Sequence, residues 1–132
     1  MPRACALLSP WVDATNAGDS LVFNDGRDPT LTRAYVDNAS GLFAGGIDPL
    51  DPDLSSLYAD YDATFPPTLI TTGTRDLRLS HCVNIAGVLR DAGADAELRV
   101  WEEMWHVFEF YPQIPEGRAS LREIGEFLES RL

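Results

Sequence analysis

The sequence predicts an α/β fold built on about three parallel strands with flanking helices. Three observations carry that expectation. Compact β-type runs stand at Ala4 to Leu8 and Thr68 to Thr72, and Glu97 to Trp101 alternates strictly. Helical patterns occupy Leu79 to Ala92 and Ala119 to Leu132, after the second and third runs. Strand, helix, strand, helix at this spacing requires crossover connections, which are right-handed and leave the strands parallel.

The individual elements follow in chain order. Ala4 to Leu8 is stopped by Ser9-Pro10 and reads as a buried strand. Asn16 to Arg27, rich in Gly, Asp and Asn, reads as a loop. Asp28-Pro29 has the form of a helix start, giving a helix to about Leu42 that stops at Gly45-Gly46. Asp48 to Ser56 (DPLDPDLSS) is a turn segment; its prolines and its lack of a Gly or terminal Glu at EF-hand spacing argue against calcium. Leu79 to Ala92 places Val83, Ala86 and Leu89 on one face and ends at Gly93. Glu97 to Trp101 directs Leu98 and Val100 to one side, as in a half-exposed strand near a sheet edge. Ala119 to Leu132 sets Leu121, Ile124 and Leu128 in register.

Composition narrows the functional classes. The chain has 132 residues, enough for one domain, and a net charge of −11. That charge argues against nucleic acid and against anionic membranes, whose phosphates need Lys and Arg. All 10 basic residues are Arg, which removes Schiff-base, Ser-Lys and P-loop chemistry. The Lys-free, Arg- and Ala-rich bias points to a GC-rich bacterial genome. No apolar run reaches membrane-spanning length, and the opening MPRACALLSPW lacks a signal-peptide layout. Cys5 and Cys82 form no metal pattern and read as reduced cysteines of a cytoplasmic protein.

In a parallel sheet, reactive groups sit just past the C-terminal strand ends. Asp76 follows TLITT by four residues, and His106 follows ELRVW by five. Alone, Asp76 reads as a capping carboxylate for the helix at Leu79, and His106 as a half-buried histidine beside Trp105 and Phe108. Loops from neighbouring strands can bring the two together. An Asp that accepts from Nδ1 would fix the tautomer and free Nε2 as a general base.

The stretch TLITTGTRDLRLSHCVNIAGVLRDAGADAELRVWEEMWHVFEFY resembles the C-terminal part of the hormone-sensitive-lipase-like esterases of the α/β-hydrolase fold (alpha/beta hydrolase fold-3 family). Gly73, Asp76 and Leu77 match that family's G-x-x-D-x-L loop, and Gly93, Trp101, His106 and Phe108 match the elements that follow. LLSPWVD, DPTLT and SLYADYDATFPPTLI extend the resemblance over essentially the whole chain. It implies a carboxylic-ester hydrolase working through an acyl-enzyme, with no metal or cofactor. Asp76 and His106 would be the acid and base of a Ser-His-Asp triad, and Leu31, Tyr35 and Phe43 would line the acyl side or simply pack.

The family's G-x-S-x-G and HGGG motifs should precede LLSPWVD, and neither occurs. Residues 1–132 are therefore expected to be one domain, the C-terminal portion of an α/β-hydrolase without nucleophile elbow or oxyanion loop, inactive alone. A small-molecule ester would be its substrate once completed. A homo-oligomer or a complementing chain would cover the open edge of Ala4 to Leu8. A non-catalytic binding or assembly module on the same scaffold is the rival reading. Gly18-Asp19-Ser20-Leu21 spells a serine-hydrolase motif, but no apolar strand precedes it and no D-x-x-H accompanies His106. Ser9 is followed by Pro10, which has no N–H to donate, and Ser80 reads as a helix N-cap.

Overall fold

The computed structural model describes residues 1–132. Three strands form one sheet in the order β1-β2-β3: β1 is Cys5–Leu8, β2 is Thr68–Gly73 and β3 is Ala96–Trp101. Both pairings are parallel, with Leu7 opposite Ile70 and Ile70 opposite Leu98. The helices are α1 (Ser20–Phe23), α2 (Arg33–Ala44), α3 (Leu79–Asp91) and α4 (Pro115–Glu129). Short 3₁₀ turns lie at Ser56–Tyr58 and Phe108–Phe110. No helix is long and apolar enough to cross a membrane.

The central strand explains the two-sided core. All six residues of β2 are buried, as a strand covered on both faces must be. Successive side chains point to opposite faces. Ile70 joins Ile85, Ala86 and Leu89 of α3 on one side, with Leu7 and Leu98 beside it. Leu69 meets Ile124 and Phe127 of α4 on the other, with Ala6 and Leu8. A third cluster, Leu21, Val36 and Leu77, packs α1 and α2 against the loop that follows β2. β1 and β3 each pair on one side only and are the sheet's edges.

Several boundaries differ from the sequence reading. The segment expected as a continuous loop contains the one-turn helix α1, held by the fully buried Leu21. α2 starts at Arg33, not at Pro29, because Thr32 caps it by accepting the Tyr35 N–H at 3.2 Å. Asp28 instead makes an Asx turn, accepting from Thr30 N at 2.8 Å. The Gly45 stop is present, with φ 55°. α3 is capped at Arg78, so Ser80 lies inside its first turn. Val83 is 48% exposed, and the buried stripe of α3 runs through His81, Cys82, Ile85, Ala86 and Leu89. On α4 the buried stripe is Gly117, Ser120, Ile124 and Phe127, while Leu121 faces solvent.

Candidate active site

The C-terminal edge of the sheet gathers Ser9, Asp76 and His106 from the loops after β1, β2 and β3. Two loops are laced together there. Thr74 N–H donates to Trp101 O at 3.0 Å and Arg75 N–H to Met104 O at 2.9 Å. Gly73 permits the approach: a Cβ at that position would lie 2.1 Å from the Met104 carbonyl oxygen. Only a residue without a side chain fits where the two backbones pass so closely.

Asp76 is fully buried, and its carboxylate is held on every side. Oδ1 accepts the Arg78 N–H at 2.8 Å and lies 3.2 Å from His106 Nδ1; Oδ2 accepts from Thr72 Oγ1 at 2.7 Å. Asp76 thus braces the turn that leads into α3 while also facing the histidine; it is not the helix cap, since the N-cap of α3 is Arg78 and no side chain caps it. Burial alone would push the Asp76 carboxyl up. The hydrogen bond and charge of His106, with the hydroxyls of Ser9 and Thr72, outweigh it and hold the group below the usual carboxylate range.

His106 is part-exposed, with 23% of its side chain reaching solvent. An ionised carboxylate only accepts, so a neutral imidazole facing it carries its proton on Nδ1 and keeps the Nε2 lone pair available. Nearby, Arg78 is buried beneath Trp11, 5.5 Å from the ring centroid, and donates to Asn16 Oδ1 at 3.1 Å. Its guanidinium is pushed down to about 10, chiefly by burial. The non-glycine residues with left-handed backbone are Ser9, Asn16, Glu103 and Val107, all in loops at this edge. Such strain persists only where surrounding bonds over-determine it.

The GDSL serine has a different part. Ser20 is buried; its hydroxyl donates to Leu77 O at 2.8 Å and accepts the Ser80 N–H at 2.9 Å. Ser80 Oγ in turn accepts the Ser20 N–H at 2.9 Å. Asn24 Nδ2 adds bonds to Thr74 O and Asp76 O, and Asp28 Oδ2 accepts from Leu77 N. Residues 20–28 therefore buttress the acid loop from behind. Sequence reasoning missed this brace, because its bonds reach across about fifty residues and leave no local pattern.

Two cavities adjoin the region. A small one of about 110 Å³ lies between Trp11, Ala39, Ser40, Phe43 and Arg78. Phe43, 70% exposed, meets Trp11 edge-on at 5.2 Å there. Leu31 packs in the core and Tyr35 is 63% exposed, so of the three residues expected at an acyl wall only Phe43 borders this space. A larger groove of about 550 Å³ lies behind the acid loop and includes neither Asp76 nor His106.

Comparison with known proteins agrees with this architecture. The family profile described as alpha/beta hydrolase fold matches residues 1–110. An esterase of Acinetobacter venetianus is 30% identical over 98% of this chain and 43% of its own length. A carboxylesterase/phospholipase of Mycobacterium tuberculosis is 35% identical over 96% of this chain and 36% of its own. The crystal structure of a hormone-sensitive lipase from a metagenome library superposes with a TM-score of 0.96 at 32% identity, over all of this chain and 45% of that one. The chain thus spans less than half the length of the relatives it matches, and corresponds to their C-terminal part. With a profile match over most of its length and a near-complete superposition on a hormone-sensitive lipase, the chain belongs to the alpha/beta hydrolase fold family.

Proposed function

We propose that this chain supplies the acid and the histidine of a Ser-His-Asp centre that hydrolyses carboxylic esters. The observation that carries the reading is the 3.2 Å approach of His106 Nδ1 to the buried Asp76 carboxylate at the C-terminal sheet edge. The names of the relatives, esterase and carboxylesterase/phospholipase, support the ester class.

The chemistry follows from the geometry. His106 Nε2 takes the proton of an attacking serine hydroxyl, and the serine oxygen bonds to the ester carbonyl carbon. The tetrahedral intermediate collapses, the alcohol leaves with the proton from His106, and an acyl-enzyme remains. Water then gives a proton to the same nitrogen and bonds to the acyl carbon; the bond to the serine oxygen breaks, that oxygen takes the proton back from His106, and the acid is released. Asp76 stays ionised throughout, holding the Nδ1–H tautomer and stabilising the imidazolium. No metal or cofactor takes part.

The nucleophile lies outside these 132 residues. G-x-S-x-G is absent from them, Ser20 is engaged as a brace, and Ser9 precedes a proline. Residues 1–132 form a single domain portion without nucleophile elbow or oxyanion donors, and the chain alone gives no more than background turnover. The outer edge of β1 carries unpaired ladder groups, a template for association. Val22, Phe23, Leu42 and Phe43 are also left exposed. A second copy or a complementing chain covers Ala4 to Leu8, the latter supplying the serine. The two cysteines are free, as befits a reducing cytoplasm. A second reading, resting on the exposed Val22, Phe23, Leu42 and Phe43, is a binding or assembly module on the same scaffold.

The test is ester hydrolysis by the chain alone and after joining to the upstream half of the Acinetobacter venetianus esterase. Turnover only in the joined protein, abolished by His106→Ala, supports the hydrolytic reading. A folded joined protein without turnover supports the binding module.

A further inference from the structure

Ser9 and Val107 stand 98 positions apart, yet they meet in one hydrogen bond, Val107 N–H to Ser9 Oγ at 3.0 Å. Both residues have φ 46°, in the left-handed region. That conformation is costly for any side chain and most of all for a β-branched valine. Ser9 is 2% exposed, and its own N–H donates to Thr71 O at 2.8 Å, extending the β1–β2 ladder by one step. The same hydroxyl is among the groups that hold the Asp76 carboxyl below its ordinary range. A hydroxyl has one proton to give and lone pairs to receive. The amide just past His106 fills one lone pair of the Ser9 oxygen.

We infer that Ser9 is a positioning residue for the proposed reaction: its hydroxyl ties the end of β1 to the peptide that follows the histidine, and so sets how the His106 ring meets Asp76. The inference rests on reading Asp76 and His106 as an acid–histidine pair. Val107 N–H belongs to the peptide bond whose carbonyl is that of His106. Fixing it fixes the backbone from which the imidazole hangs. The left-handed turn at Val107 has no other side-chain partner for this amide, so the Ser9 bond is what offsets its strain. Ser9 is no nucleophile in this arrangement: its buried hydroxyl is engaged by the Val107 amide, and Pro10 follows it.

The chain has two histidines, 81 and 106, so ¹⁵N-histidine NMR of the full chain resolves each. In the unaltered chain His106 is expected as the Nδ1–H tautomer, with the Val107 amide protected from exchange. Ser9→Ala and Ser9→Gly both remove the hydroxyl, and glycine also removes the left-handed strain. Both are expected to convert His106 to a mixture of tautomers and speed Val107 exchange about tenfold or more. His81 and the Leu69 and Ile70 amides are expected to stay unchanged. An unaltered His106 tautomer and Val107 exchange in both variants overturns the inference. So does loss of Leu69 and Ile70 protection in both, which would make Ser9 a general folding residue. Asp76→Asn separates the two levels. If it changes the His106 tautomer and the Ser9 variants do not, only the Ser9 inference fails. If it leaves His106 unchanged, the acid–histidine reading fails with it.

Discussion

The same oxygen of Asp76 that faces His106 Nδ1 at 3.2 Å also accepts the Arg78 N–H at 2.8 Å. The carboxylate is therefore tied to the N-cap residue of α3 as well as to the histidine. Asp76→Asn keeps the shape but presents an amide able to donate, which favours the wrong imidazole tautomer. In the joined, active protein we predict a fall in kcat of about 10⁴, with KM little altered. Steady-state kinetics on a chromogenic short-chain ester reads this directly; a fall of less than about tenfold would show that Asp76 only braces the turn before α3.

Gly73→Ala places a methyl against the Met104 carbonyl, where only 2.1 Å is open. Backbone on both sides cannot yield as a flexible side chain does. The predicted outcome is a stability loss of roughly 1–3 kcal/mol in urea denaturation, together with loss of the His106–Asp76 contact by histidine NMR. Retention of both would mean that the two loops separate without consequence.

Ser20→Ala tests the brace. The substitution strands the Ser80 N–H and the Leu77 carbonyl, both now served by one hydroxyl. A stability loss of about 1–3 kcal/mol is predicted, while kcat of the joined protein falls far less than in His106→Ala. Equal losses in the two variants would restore Ser20 as a reacting group.

Stability should fall with acid in a definite window. His81 is fully buried, with Nδ1 accepting the Val12 N–H at 3.4 Å and Nε2 unpartnered. Burial, then the Arg78 charge, pushes its imidazole down from 6.5 to about 4. The unfolded chain takes up a proton below 6.5 that the folded chain refuses until about 4. The stabilisation is therefore complete above the unfolded value and lost as pH drops through this interval, on the order of 3 kcal/mol in all. Asp76, held below the ordinary range, adds its own loss at lower pH. His81→Gln should flatten the denaturation midpoint between pH 6.5 and 4 relative to the unaltered chain; an unchanged slope would place the acid sensitivity elsewhere.

The proposed association at the outer edge of β1 has its own test. Sedimentation at micromolar concentration should find the chain as an oligomer, with Ala4 to Leu8 protected at the contact. A cooperative monomer with those amides equally protected would show that the chain closes its own edge.

What the sequence revealed depended on how local the cause was. The three strands and the two late helices were legible because hydrophobic alternation and helical spacing are written in neighbouring residues. The approach of Asp76 and His106 was legible because strand ends in a parallel sheet are predictable places. The start of α2 was misread because Asp28-Pro29 mimics a cap, while Thr32 supplies the bond to Tyr35. The faces of α3 and α4 hold at Ala86, Leu89 and Ile124 but not at Val83 and Leu121, which are apolar yet outward, while the buried His81 and Ser120 are polar. The Ser20 brace and the Ser9–Val107 bond join residues 60 and 98 positions apart, and only the folded chain brings them together.

Covalent capture of the nucleophile tests the central claim most directly. The joined protein is treated with a fluorophosphonate, which bonds to a serine whose hydroxyl is activated by a histidine, and the labelled peptide is identified by mass spectrometry. The account predicts one labelled serine, in the G-x-S-x-G of the upstream half, with labelling lost in His106→Ala and no label on this chain. Label on Ser9 or Ser20, or capture that survives His106→Ala, would contradict it.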